Sequence, residues 1–275
     1  MKFRSITLFF VLFLIFIASG CNEKPVETQT LTVMTHDSFA ISSELVTRFE
    51  ETHNVHLVFV PSGDAGSMLN RAILTKDAPQ ADVIYGIDNT FLSRALEEDL
   101  FVPYTSPLLE SIPDDYKMDE KNRILPVDFG DVCINYDKKY FADNKLPVPV
   151  SLQDLLKPEY GKESNGKGLL VVENPAKSSP GLAFLFATVA VYGEEGYLQF
   201  WKALKDNGVE VANDWNTAYY TNFSGSSGKG LQPMVVSYAS SPAAEVLFAS
   251  TTLTEAPTAS IITPDTCYRQ VEFVG

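Results

Sequence analysis

From residue 31 onward, apolar positions switch repeatedly between strand-like runs and helix-like spacing. Leu31 to Thr35 is a short β-rich run, and Ile41 to Glu51 follows with apolar residues at Ile41, Leu45, Val46 and Phe49, the spacing of one helix face. Val55 to Val60 predicts a second strand, which ends at Pro61-Ser62-Gly63-Asp64. Gly66 to Leu74 predicts a helix that buries Met68, Leu69 and Ile73, Ala81 to Ile87 a third strand closing at Asp88-Asn89-Thr90, and Phe91 to Glu98 a helix. Strands alternating with helices predict parallel pairing with helices on both faces of the sheet.

A second block of the same kind begins near Ile124. Leu125-Pro126-Val127-Asp128-Phe129-Gly130 leads into a strand over Val132 to Tyr136, and a helix starts at Ser151 to Leu156. A strand over Gly168 to Glu173 feeds the polar loop Asn174 to Gly181, which opens an apolar helix over Leu182 to Tyr192. Serines with a proline at the helix start mark that N-terminus. Phe200 to Asn207 predicts another helix, Met234 to Tyr238 a strand, Ala243 to Ala249 a helix, and Ala259 to Ile262 and Cys267 to Phe273 strands returning to the first block. The pattern is two α/β lobes joined by crossover strands near Asp128 and Cys267, with a cleft between them. Ser224 to Gly230 reads as a loop; its Gly228-Lys229-Gly230 lacks the earlier glycine and the Ser/Thr of a phosphate-binding loop.

The start of the chain follows a different logic. Lys2 and Arg4 precede the apolar run Ile6 to Ile17, and Ala18-Ser19-Gly20-Cys21 follows. A positive segment, a short apolar segment and small residues describe a secretory signal peptide. The run is short for a bilayer span, which needs about 20 apolar residues. A cysteine directly after the small residues resembles a bacterial lipobox, which implies cleavage before Cys21 and acylation of its thiol. Residues 1–20 are then the signal peptide and 21–30 a polar, lipidated tether. Residues 31–127 form lobe 1, 128–262 lobe 2, and 263–275 a strand crossing back to lobe 1. Export makes a Cys133–Cys267 bridge possible, since both lie in strand-like stretches and disulfides persist outside the cytoplasm; two free buried thiols are the alternative.

Candidate chemistry gathers in the turns. In open α/β sheets ligands bind beyond the carboxyl ends of the strands. Those ends carry His36-Asp37-Ser38, Ser62-Gly63-Asp64 and Asp88-Asn89, three polar loops meeting at one sheet edge. Asp37 and Ser38 also read as helix caps. Asn213 to Tyr220 places Trp215, Tyr219 and Tyr220 with Asp214 in a segment of loop character, and Tyr238 ends a strand beside Ser240 and Ser241. Aromatic rings with carboxylates suit a flat cation.

Composition narrows the class further. A net charge of −14 argues against nucleic-acid binding, which wants a basic face. There is no G-x-S-x-G elbow, and of the only histidines, His36, His53 and His56, the last two lie far in sequence from any candidate nucleophile, so enzymatic activity is not expected. No CxxC pair or Cys/His cluster suggests a metal site or a resident cofactor.

Several segments together resemble the thiamine-binding proteins of ABC importers: Val33-Met34-Thr35-His36-Asp37-Ser38-Phe39, Ala81 to Asn89, Pro126 to Gly130, Ser178-Ser179-Pro180-Gly181-Leu182, Asp214 to Tyr219 and Ser237 to Ala243. They occur in the family's order over nearly all of the exported part. The resemblance implies a type II periplasmic-binding fold that closes on thiamine or its phosphates, and a monomer that delivers its ligand to an ABC permease. By the same resemblance Trp215 and Tyr238 flank the ligand, Ser178 and Ser179 face its hydroxyl or phosphate end, and Asp37, Asp64, Asp88 or Asp128 accepts from the aminopyrimidine. The chain departs from the pattern at His36, Ser43 and Ala244, where the best-known members carry tyrosine, tryptophan and tyrosine. It also ends at Gly275, directly after the crossover strand, where members continue with further helices, so the resemblance reads the chain as C-terminally shortened. A second reading on the same fold is a ferric-ion binder, because Tyr219-Tyr220 resembles the tyrosine pair of those relatives. A third is a lipoprotein enzyme or adhesion module.

Overall fold

The computed structural model describes residues 28–163, 165–227 and 229–275; the signal-peptide and lipidation readings, Cys21 included, lie outside the described residues. One continuous sheet carries the strands in the order β2-β1-β3-β9-β4-β7-β5-β6, with β8 pairing β4. In lobe 1, β1 (Gln29–Thr35), β2 (Val55–Pro61) and β3 (Val83–Asp88) are parallel, connected by helices α1 (Ser43–His53) and α2 (Ala65–Leu74) and followed by α3 (Leu92–Glu97). β4 (Leu125–Asp137) then runs unbroken out of lobe 1, and α4 (Lys138–Asn144) follows it. β5 (Leu170–Glu173), the long helix α5 (Ser179–Asp206), β6 (Glu210–Ala212), β7 (Met234–Tyr238), α6 (Ser241–Leu247) and β8 (Thr258–Ile261) build lobe 2. β9 (Tyr268–Val274) returns antiparallel to both β3 and β4.

Each lobe has its own core. Met34, Met68, Leu69, Ile87, Ile124 and Phe273 are buried in the first; Ile134, Leu155, Phe184, Phe200, Leu204 and Met234 are buried in the second. β9 serves both, with Val271 and Phe273 in the first core and Tyr268 packed against the second, while β4 gives Val132 and Ile134 to the second, so the β4–β9 pair connects the lobes. Cys133 on β4 and Cys267 just before β9 are joined by a disulfide, which ties the two connecting strands on the lobe 2 side.

Local differences from the sequence reading have identifiable causes. The segment read as a loop around Trp215 is a helical turn, Trp215–Thr217, continued by Ala218–Asn222, because Asp214 caps it: its Oδ1 accepts from the Thr217 amide at 2.7 Å. Ser224–Ser227 is likewise a helical turn rather than a loop. The expected helix at 151–156 is a pair of short 3-10 turns, the second opening at Pro158. The two helices expected between Leu182 and Asn207 follow each other directly within α5, separated by a break at Gly193, whose φ of 71° takes it out of helical geometry. β6 was not expected. Asp37 and Ser38 cap no helix: Ser42 caps α1, and Asp37 Oδ1 instead accepts from the Gly63 amide at 2.8 Å, clamping two strand-end loops together. The apolar stripe of α1 is not buried as its period predicts; Ile41, Leu45 and Phe49 line a broad groove with Leu57 and Phe59.

Candidate functional site

The lobes meet where β1, β2 and β3 end, opposite the N-terminus of α5 and the Trp215 turn. Three contacts close them on each other. The Gly66 amide donates to the Lys177 carbonyl at 2.9 Å, the Trp215 amide donates to Asp64 Oδ2 at 2.9 Å, and Ser179 Oγ donates to Asp88 Oδ2. Gly66 has to be glycine: a Cβ there would lie 2.7 Å from Phe91 and 2.8 Å from the Lys177 carbonyl oxygen. The residual cleft is about 30 Å³, room for one water-sized group, so this is a shut form of the clamp.

The floor of the cleft is acidic. β9 pairs with β3 on one side and β4 on the other, and this register sets Asp88, Glu272 and Asp128 in a row across three strands. Facing residues of paired strands project to the same side of a sheet, and like charges there repel. Burial pushes the Asp88 carboxyl up, opposed by bonds from Ser179 and Thr90, with Glu272 adding to the rise. Asp128 is also raised, by desolvation first and by Glu272 second, while it accepts from Tyr85 OH at 3.0 Å. His36 relieves the row: its Nε2 lies 3.1 Å from Glu272 Oε1 and its Nδ1 2.9 Å from Ser38 Oγ. The ring fits only because Gly86 beneath it, at φ 103°, has no Cβ.

The roof is aromatic. Trp215 is fixed at three points: its amide on Asp64, its indole Nε1 on Ser237 Oγ at 2.9 Å, and one face stacked on Tyr219 with centroids 5.0 Å apart at 17°. Tyr238 stands 6.3 Å from Trp215, and Gln270 Nε2 donates to its hydroxyl at 3.3 Å. Burial raises the Asp64 carboxyl, and the Trp215 amide works against that rise. Two buried polar atoms in this region, Ser178 Oγ and Gln270 Oε1, have no hydrogen-bond partner among the described residues. Buried polar groups are normally paired, so such atoms mark places where a ligand or water completes the bonding. Among the described residues no lysine or arginine lines the cleft.

Of the residues singled out from sequence, His36, Ser38, Asp64, Ser179, Trp215 and Tyr238 line the cleft. Asp88 and Ser178 are buried just behind its walls, Asp128 stands at the far end of the acid row, and Asp37 braces a loop. Ser240 is exposed at the start of α6, outside the lining. Tyr219 lies behind Trp215, 3% exposed, its hydroxyl donating to Glu245 Oε1. Burial and Glu245 both raise the Tyr219 phenol, which favours a protonated donor over a phenolate metal ligand. Among the described residues no cluster of three histidine, cysteine or acidic side chains is placed to hold a metal ion. Sequence reasoning missed Gln270 and Glu272. Their signal is the alternation Gln270-Val271-Glu272-Phe273, whose apolar members enter the lobe 1 core and whose polar members therefore face the cleft.

Residues 78–269 match the family model described as bacterial extracellular solute-binding protein. A thiamine-binding periplasmic protein of Brucella suis is 28% identical over 273 residues, 96% of this chain and 73% of the relative. One from Escherichia coli K12 is 33% identical over 233 residues, 82% of this chain and 65% of the relative. The solved structure of a periplasmic thiamin binding protein superposes with a TM-score of 0.70 at 29% identity, covering 90% of this chain and 72% of the other.

Proposed function

The chain belongs to the bacterial extracellular solute-binding proteins, carriers rather than enzymes, and we propose that its solute is thiamine, captured between the lobes and handed to an ABC permease. The observation that carries this reading is the cleft itself: an acid row below, Trp215 and Tyr238 above, and no lysine or arginine among the described residues of the lining. Thiamine is a flat thiazolium cation joined to an aminopyrimidine. A ring over a cation contributes roughly 0.5 to 2 kcal/mol, and the carboxylates add acceptors for the exocyclic amine. An acid row met by His36 alone also favours free thiamine over its phosphates. In this scheme Ser178 and Gln270 supply the polar atoms that lack partners, and His36 moves with Glu272 as the ligand enters.

Ligand entry requires the lobes to part, since the shut cleft is far too small for two rings. The middle of the β4–β9 ribbon is the natural hinge, and the interlobe bonds of Asp64, Ser179 and Gly66 are those that break on opening. Closure is favoured only as far as the ligand binds the shut form better than the open one. Acylated Cys21 would hold the monomer at the membrane beside its permease, with two or more acyl chains giving firm attachment. Ferric binding is the weaker reading, because Tyr219 is stacked under Trp215 and engaged with Glu245.

The test is Trp215→Ala. Loss of its ring should weaken thiamine binding by about 2 kcal/mol, roughly 30-fold, in a protein that melts cooperatively. Unchanged affinity would remove Trp215 from the site.

A further inference from the structure

Of the described residues lining the cleft, His36 alone has a side chain that can carry a positive charge. It stands on the acid row, with Glu272 Oε1 at 3.1 Å from Nε2 and Ser38 Oγ at 2.9 Å from Nδ1. The pair is largely covered: 18% of the His36 side chain and 15% of the Glu272 side chain are exposed. Salt therefore screens their attraction less than it would on the open surface.

The groups that face the imidazole are acidic or neutral. Glu272 comes from β9, Asp128 from β4 and Asp64 from the turn before α2. On β3, the Tyr85 ring lies 6.3 Å away and Asp88 is set beyond Glu272 in the row. Asp37, next to His36 in the chain, is turned to the Gly63 amide, and Phe39 meets the ring edge without adding charge. Burial raises the carboxyls of Asp64 and Asp128, and His36 works against that rise at both.

Both bonds of the ring survive a change in its charge. As an imidazolium, His36 donates to Glu272 through Nε2 and to Ser38 through Nδ1. As a neutral ring protonated on Nε2 it keeps the first bond, and Nδ1 accepts from the Ser38 hydroxyl, which can serve in either direction. The Nδ1 proton can therefore leave without orphaning either nitrogen. A cation brought to the same carboxylates supplies the charge that the imidazolium supplied, and two like charges on one acid row disfavour each other. Histidine is the side chain whose charge ordinarily changes between pH 5 and 8.

We propose that His36 is the resident counter-ion of the cleft and a specificity-determining residue: a cationic ligand takes over its charge, and the Nδ1 proton passes to solvent as the ligand binds. The inference rests on the thiamine reading for the ligand. By reciprocity, a ligand that expels a proton is itself expelled by protons, so affinity for the cation rises with pH through the histidine range. In acid the charged ring answers the row and the cleft discriminates against cations; near neutrality it selects them.

Calorimetric titration with thiamine in buffers of different ionisation enthalpy counts the protons released per ligand. Between pH 6 and pH 7 the protein should release at least about 0.3 proton per thiamine, and affinity should rise at least about twofold across that interval. His36→Gln, which can still bond to Glu272 and Ser38 but does not titrate, should release less than about a third as many protons and show a flatter pH dependence. His36→Asn takes its place if the first variant does not melt cooperatively. Thiamine binding without proton release, or equal release from parent and variant, overturns the proposal and leaves the thiamine reading standing; equal release would assign the protons to the carboxyls of the row. No heat from a cooperatively folded parent refutes the thiamine reading and the proposal with it.

Discussion

Replacing Gly86 with alanine should cost the fold about 3 kcal/mol, and the structure divides that cost into two parts. The first is backbone: at φ 103° a residue with a Cβ is in a sparsely populated region that costs about 1–3 kcal/mol. The second is steric. The new Cβ would lie 2.3 Å from His36 Cδ2 and 3.3 Å from Glu272 Oε1, so the imidazole must leave its place. Its contacts with Glu272 at 3.1 Å and Ser38 at 2.9 Å go with it, an overpacking cost of about 1–3 kcal/mol. For a chain of this size, 1 kcal/mol moves the melting temperature by roughly 2–4 °C, so a fall of about 6–12 °C is expected. Thermal melts followed by circular dichroism measure it. Adding His36→Ala to the Gly86→Ala variant should restore the steric part and leave the backbone part. A single variant melting within about 2 °C of the parent would refute the reasoning, and no rescue by His36→Ala would assign the whole cost to the backbone.

Two further outcomes follow from the described geometry. Glu173 is fully buried at the end of β5, both carboxyl oxygens lack a hydrogen-bond partner among the described residues, and desolvation, with Asp64 and Asp214 adding to it, pushes its carboxyl well up. A carboxyl raised in the folded state binds its proton more tightly there than when unfolded. Its contribution is therefore whole below the ordinary carboxylate range and is lost as pH rises toward the raised value. Glu173→Gln should accordingly raise the melting point at pH 8, by the equivalent of about 1–3 kcal/mol, with the gap shrinking as pH falls toward 4; a constant gap would contradict this origin. Replacing Cys133 and Cys267 together by serine opens a 134-residue loop and should cost about 2–4 kcal/mol; denaturant titration of the oxidised parent and the variant measures the difference, and equal midpoints would leave the bridge without a stabilising role.

The alternation of strands and helices is strongly written in the chain, because each strand-end turn carries Gly, Pro, Asp or Asn next to a periodic apolar run. Asp64 and Asp88, picked as strand-end acids, are at the lobe interface for that reason. Trp215 and Tyr238 stand out as aromatics beside small polar residues, and both line the cleft. What escaped is what depends on pairing between distant strands. The acid row exists only because β9 inserts between β3 and β4 in a register that sets Glu272 against both Asp88 and Asp128. Nothing local announces that insertion. Tyr219 and Tyr220 illustrate the same limit: adjacent in sequence, one is stacked on Trp215 and buried against Glu245 while the other meets the same tryptophan edge-on and is exposed. The Gly86–His36 fit is equally invisible, since it requires β1 and β3 to be neighbours with their ends level.

Calorimetric titration of the exported chain with thiamine, run beside thiamine monophosphate and ferric citrate, tests the central claim most directly. The acid-floored, ring-roofed cleft predicts saturable thiamine binding at one site per chain, weaker binding of the monophosphate, and no uptake of iron. Iron binding with a visible phenolate band, or a cooperatively folded protein that gives no heat with thiamine, would contradict it.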